Sequence, residues 1–224
     1  IVHFGIGQVT NKGGIPTLYS TTSTSVGAGV FVPPITPFTG SEALTGGAVS
    51  LLTNFTNGAI FDNTAKNVFE TVGAAQISTT QSKWGGSSMY FANGGTDYLL
   101  NSYVNNPNFS FSGDFTVELW VYPTSTPDTY NCIIGNFSES GTTYGWNLML
   151  TSGQLVHVNV AGTSNNSAQT VPLNTWSHLA ITRAGSTVFI FVNGKKDTTT
   201  LTTSALAYNP VYPLRIGRRV DTAP

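Results

Sequence analysis

From Ala48 onward the chain runs in short stretches in which apolar and polar residues alternate, each closed by a turn signal. In Gln154–Val160 the residues Val156, Val158 and Val160 fall on one face, opposite Leu155, His157 and Asn159. Phe115, Val117, Leu119 and Val121 likewise oppose Thr116, Glu118, Trp120 and Tyr122. Gly153 precedes one run, Ala184-Gly185-Ser186 separates two others, and Asn193-Gly194 is the dipeptide best suited to a tight type I′ hairpin. No long segment carries a 3.6-residue apolar period. A two-residue period with a turn after each run permits only strands with one face buried. The spacing predicts strands over Ala48–Phe55, Ala75–Thr79, Ser87–Ala92, Asp97–Leu100, Phe115–Tyr122, Cys132–Gly135, Gly145–Leu150, Gln154–Val160, Trp176–Arg183, Thr187–Val192 and Leu214–Gly217. That many short strands imply an all-β, two-sheet antiparallel sandwich of jelly-roll type.

Residues 1–46 are composed differently. Tyr19-Ser20-Thr21-Thr22-Ser23-Thr24-Ser25 is followed by Val32-Pro33-Pro34-Ile35-Thr36-Pro37, a stiff, donor-poor stretch. They are expected to form a Gly/Ser/Thr/Pro-rich spacer or assembly arm whose few apolar residues add one or two strands to a neighbouring module. The sandwich is expected to occupy residues 47–224. The chain starts without Met and stops at Pro224 without an ending signal, so it reads as a piece of something longer.

Charge narrows the function classes. Charged residues are 8% of the chain and the net charge is −1, against roughly 25% charged in an ordinary soluble domain. Neither nucleic acid nor an anionic membrane would be drawn to such a surface. No apolar run approaches the ~20 residues of a membrane-spanning helix. The single cysteine, Cys132, excludes an intrachain disulfide framework and a multi-thiolate zinc site, and its apolar surroundings suggest a small buried hydrophobe.

Several segments in order carry a family likeness: Gly85-Gly86-Ser87-Ser88-Met89-Tyr90-Phe91, Thr96-Asp97-Tyr98-Leu99, and Gly113-Asp114-Phe115-Thr116-Val117-Glu118-Leu119-Trp120-Val121-Tyr122-Pro123. Leu173-Asn174-Thr175-Trp176-Ser177-His178-Leu179-Ala180-Ile181-Thr182-Arg183 and Phe189-Ile190-Phe191-Val192-Asn193-Gly194-Lys195 follow. Over roughly residues 48–220 the series resembles the concanavalin A-like, laminin-G-type jelly roll in the form found in bacteriophage and bacterial surface proteins. Leu51-Leu52-Thr53-Asn54-Phe55 and Ile60-Phe61-Asp62 look like the opening strands of such modules in marine phage structural proteins. The resemblance implies a virion or extracellular location and a non-enzymatic role in a phage fibre, head fibre or decoration protein: assembly, surface display and glycan adhesion. Its partners would be other virion proteins, copies of itself, and cell-surface glycan. The family usually closes with a strand after the position of Arg218-Arg219, which this sequence lacks. Either that strand belongs to the longer chain outside this stretch, or the open edge recruits a strand from another copy, with Val26–Val32 as donor; a homo-oligomer is expected.

Two alternatives remain. A lectin needs an exposed aromatic beside polar loops, for which Tyr130, Tyr144 and Asp128 are the candidates. A glycan hydrolase of this fold needs two or three acids alternating on one strand. Here positions 116, 118, 120 and 122 are Thr, Glu, Trp and Tyr, so Glu118 stands alone. No nucleophile elbow, zinc-protease or phosphate-loop motif occurs. Trp120 and Trp176 are expected to pack in or against the core, and His178 to be a buried, hydrogen-bonded, neutral histidine. No cofactor is expected. Calcium would require more carboxylates than the loops Asn93–Asp97 and Thr126–Asp128 supply, so those acids read as turn caps. Asn54, Asn108, Asn136 and Asn165 stand in glycosylation sequons, which matter only in a eukaryotic secretory route.

Overall fold

The computed structural model describes residues 2–11, 48–55, 60, 62–64, 66–92, 95–103, 106–138, 145–204 and 212–219. In chain order the strands are β1 (Val2–Asn11), β2 (Ala48–Thr53), β3 (Phe69–Val72), β4 (Gln76–Ser78), β5 (Ser88–Phe91), β6 (Tyr98–Asn101), β7 (Phe115–Pro123) and β8 (Tyr130–Gly135). Then come β9 (Trp146–Thr151), β10 (Leu155–Val160), β11 (Thr163–Thr170), β12 (Ser177–Ala184), β13 (Thr187–Val192), β14 (Lys195–Thr202) and β15 (Arg215–Ile216). Among the described residues one 3-10 turn spans Pro107–Phe109 and there is no α-helix. All pairings are antiparallel, and the strands form the two sheets of a sandwich. Sheet A runs β14-β13-β12-β7-β1-β5-β4 with β2 also on β1, and sheet B runs β11-β10-β9-β8-β15-β6-β3.

The inner faces are those the alternation selects. Val117, Leu119 and Val121 of β7, Leu179 and Ile181 of β12, and Val188 and Ile190 of β13 are at 0% exposure. They meet Leu148, Leu150, Val156, Val158 and Val160 from sheet B in one cluster. Full burial of such side chains contributes ~1.5–3 kcal/mol each. At one end Trp146, Phe111 and Phe115 stack, with ring centroids 4.5 Å apart for the two phenylalanines and 5.3 Å for Phe111 and Trp146. The indole Nε1 of Trp146 donates to Phe109 O at 2.9 Å, so its polar atom is satisfied inside the core. Asn136, 2% exposed, donates to the same carbonyl and accepts from Trp146 N. That sequon asparagine is a structural bridge, inaccessible in the fold.

The eleven strands read from the sequence each have a counterpart, shifted by a residue or two at their ends. Four strands were not expected as such: β1, β3, β11 and β14. Val2–Asn11 lies in the stretch read as a spacer or arm. It sits inside sheet A, flanked by β7 on one side and by β5 and β2 on the other. The row of backbone groups along β7 is thus covered by residues of the same chain. Residues 12–47, the proposed donor Val26–Val32 and the stretch beyond Arg219 lie outside the described residues.

β11 and β14 are polar edge strands of opposite sheets, joined by one carboxylate. Asp197 Oδ1 accepts from Ala168 N (2.9 Å) and Thr199 N (2.8 Å), and Oδ2 accepts from Gln169 N (2.9 Å) and Gln169 Nε2 (3.1 Å). Asp197 is 2% exposed. Burial pushes its carboxyl pKa up, but the backbone bonds from Ala168, Thr199 and Gln169 and the Gln169 amide outweigh burial and hold it below the usual value. The two hairpin turns beside this contact have positive φ at both central residues, as type I′ requires. Asn193 and Gly194 stand at 49° and 79°, Ala161 and Gly162 at 52° and 82°.

Candidate functional site

An open cleft of about 790 Å³ lies along sheet B, within the ~300–1,000 Å³ range of ligand pockets. Alternation places it on the outer face. Leu148 and Leu150 point into the core, so Met149 between them points out, as do Cys132 and Tyr130 of β8. Cys132 and Met149 line its base, 6% and 3% exposed. The loop Ser125–Thr129 forms one side and Arg218 and Arg219 contribute from beyond β15. The order β9-β8-β15-β6 brings these elements together, because β15 pairs with both β8 and β6.

Tyr130 is the accessible aromatic of the cleft, at 43% exposure. Its ring lies 4.9 Å from that of His157 on β10. His157 Nδ1 in turn donates to Asn166 Oδ1 at 2.7 Å. The tyrosine is thereby backed by a second ring that is itself fixed, which lowers the entropy lost on stacking against a ligand. Asp128 lies on the adjoining loop, exposed, and also lines the cleft. Two of the sequence-selected residues, Tyr130 and Asp128, therefore share one cleft, while Tyr144 lies outside the described residues. Sequence reasoning missed His157, Asn166, Arg218 and Arg219. His157 had a legible signal: it faces away from the valines of its strand.

The loop carboxylate Asp97 behaves as a cap, with Oδ1 accepting from Ala74 N at 2.9 Å and Thr96 Oγ1 at 3.0 Å. Among the described residues no three His, Cys, Asp or Glu side chains converge to hold a metal ion.

Glu118 is remote from the cleft, on the outer face of sheet A. It is 2% exposed, and its Oε2 lies 3.1 Å from Nε2 of His178, which is fully buried. The expectation for Trp120 needs refinement. Its ring is 7% exposed but lies on that outer face rather than in the sandwich core. It meets Trp84 edge-on at 5.4 Å and His178 at 5.3 Å, with Lys83 Nζ 3.9 Å from its centroid. Burial lowers the Lys83 pKa. Trp176 is half-buried against Tyr122 at 5.5 Å. Glu118 thus serves a packed polar layer, and the cleft carboxylate is Asp128.

An antiparallel two-sheet sandwich with an aromatic-bearing cleft along one sheet is the architecture of the lectin-like jelly rolls. Residues 93–224 match the family model described as the concanavalin A-like lectin/glucanases superfamily, and the chain belongs to that family. A comparison with curated protein sequences finds no match. Among solved structures, domain 4 of AbnA, an extracellular arabinanase from Geobacillus stearothermophilus held with arabinotriose, is similar at TM-score 0.52 and 15% identity, over 76% of this chain and 83% of that one. The carbohydrate-binding module CBM66 from Bacillus subtilis is similar at TM-score 0.40 and 14% identity, over 66% and 86%. The enzymatically active domain of tailspike protein 2 from bacteriophage CBA120 is similar at 0.44 and 16%, over 67% and 25%. At such identities these are likenesses of fold.

Proposed function

We propose that this chain is a non-catalytic glycan-binding module carried on an extracellular or virion surface, with the cleft along sheet B as its sugar site. The observation that carries this reading is Tyr130, exposed at the cleft and backed by His157. Sugars present apolar C–H faces that stack on such a ring, and polar edges that suit a loop such as Ser125–Thr129. The arabinotriose held by the arabinanase domain of like fold supports the choice of a sugar over other ligands. A non-catalytic role is supported by the position of Glu118, buried against His178 on the other sheet, where it cannot act with Asp128. The virion setting rests on the resemblance of the motifs to phage modules and on the scarcity of charge. In that setting copies of the module associate through sheet edges and neutral polar surface.

The test is titration of the protein against a glycan array, with hits measured by calorimetry for the parent and for Tyr130→Ala. Loss of one aromatic platform should weaken binding by about tenfold or more, with an unchanged near-UV dichroism spectrum. Glycan binding that survives Tyr130→Ala at full strength would place the site elsewhere. Absence of any glycan ligand would refute the reading.

A further inference from the structure

We infer that the sugar taken by this cleft is acidic, carrying a carboxylate or sulfate ester that docks on Arg218. The inference rests on the glycan-binding reading above and narrows it. The chain has nine cationic residues, and three of them, Arg215, Arg218 and Arg219, fall within five positions at the end of β15. Arg218 and Arg219 line the cleft. The guanidinium of Arg218 lies 5.3 Å from the ring of Tyr98 on β6, and that of Arg215 lies 5.2 Å from the same ring.

Arg218 thus stands beside a ring at the cleft, and the planar N–H fork of an arginine matches the two oxygens of a carboxylate or sulfate. Among the described residues Arg218 forms no ion pair. Asp128, the acidic residue among those lining the cleft, is exposed and forms no ion pair with Arg218. A bound anion would fill the fork of Arg218.

The experiment compares acidic oligosaccharides with neutral counterparts of the same skeleton: sialyllactose with lactose, an oligouronate with its methyl ester, and a sulfated with an unsulfated trisaccharide. At least one acidic member should bind about tenfold tighter or more than its counterpart, the usual effect of one charge-assisted contact. Raising the salt to ~0.5 M should shrink that ratio, because the pair is partly open to solvent. Arg218→Gln should bring the ratio close to one. Arg218→Lys keeps the charge without the fork and should give an intermediate ratio, which carries the test if the glutamine variant misfolds. Equal binding of both members of every pair, or a ratio unmoved by either variant, overturns the inference and leaves the glycan reading intact. Tight binding of inorganic sulfate alone, without any sugar, also overturns it. If no oligosaccharide binds in any pair, the glycan reading itself fails.

Discussion

Replacing Asp197 by Asn should cost this protein a large part of its stability, although the two side chains have the same shape. Each carboxylate oxygen accepts two hydrogen bonds, from Ala168 N and Thr199 N on one side and from the backbone and side chain of Gln169 on the other. An amide offers one oxygen. Whichever way it is turned, its NH2 group faces two donors and two bonds are lost. Hydrogen bonds to a charged group are worth ~1.5–3 kcal/mol each, so the loss is about 3 kcal/mol at least. At ~2–4 °C per kcal/mol for a chain of this size, Tm should fall by roughly 6–12 °C. The pH dependence gives the reasoning a second hold. The folded carboxyl titrates below its unfolded value of about 3.9, so its contribution is complete above that value and disappears as pH falls through the folded pKa. The variant has nothing to titrate there. Urea melts of both proteins at pH 7 and at ~pH 3 should therefore show a gap that narrows in acid. A gap below ~1 kcal/mol at pH 7, or one equally wide at both pH values, would refute the account of Asp197 as the charged tie between the two edges.

Gly135→Ala should destabilise by about 3 kcal/mol or more in chemical denaturation, because the added Cβ would stand 2.5 Å from Trp146 O and from Asn147 Cβ, backbone-anchored atoms that cannot move aside. A loss under ~1 kcal/mol would show that the strand can shift. Ala161→Asn should stabilise by roughly 0.5–1 kcal/mol in thermal melts, since Ala161 holds a φ of 52° that asparagine tolerates better. Incubation with laminarin or agarose should release no new reducing ends. Turnover that disappears in Glu118→Gln would contradict the assignment of Glu118 to a packed layer.

What was legible in the sequence followed from burial. β7, β10, β12 and β13 each bury one face against the opposite sheet, so their valines, leucines and isoleucines had to alternate, and the pattern betrayed them. β11 and β14 are held by pairing to one neighbour, by the Ala161-Gly162 and Asn193-Gly194 turns and by Asp197. Thr163–Thr170 has one buried residue, Ser167, which is not apolar. Such a strand is specified by its partners and leaves little trace in its own composition. β1 was obscured differently. Val2, Phe4 and Ile6 do alternate, but the pairing slips between Phe4 and Gly7 and again between Val9 and Thr10, and a slip breaks the period. At the cleft, Tyr130 and Asp128 were legible because an aromatic beside a polar loop is a local signal. Arg218 was not, since its pairing with Tyr98 joins residues more than a hundred positions apart, which only the fold makes adjacent.

The location of β1 bears on how the molecule is made. Its register joins Val2 to Pro123 and Asn11 to Phe115. At ~5–20 residues per second on the ribosome, β7 emerges some 5–20 s after β1. Until then β1 has only β2 and β5 to pair with, and so small a ribbon has little standing stability. The centre of sheet A therefore closes late, in a slow step set by a long chain loop. Once β7 has emerged, and until β1 docks, β7 and β5 present a slot whose fit is identical for the β1 of any neighbouring nascent chain, which is the condition for strand exchange between copies. Refolding yield of monomer should consequently fall as protein concentration rises. Crowded synthesis would favour interlocked pairs over the monomer, with the same hydrogen bonds in both.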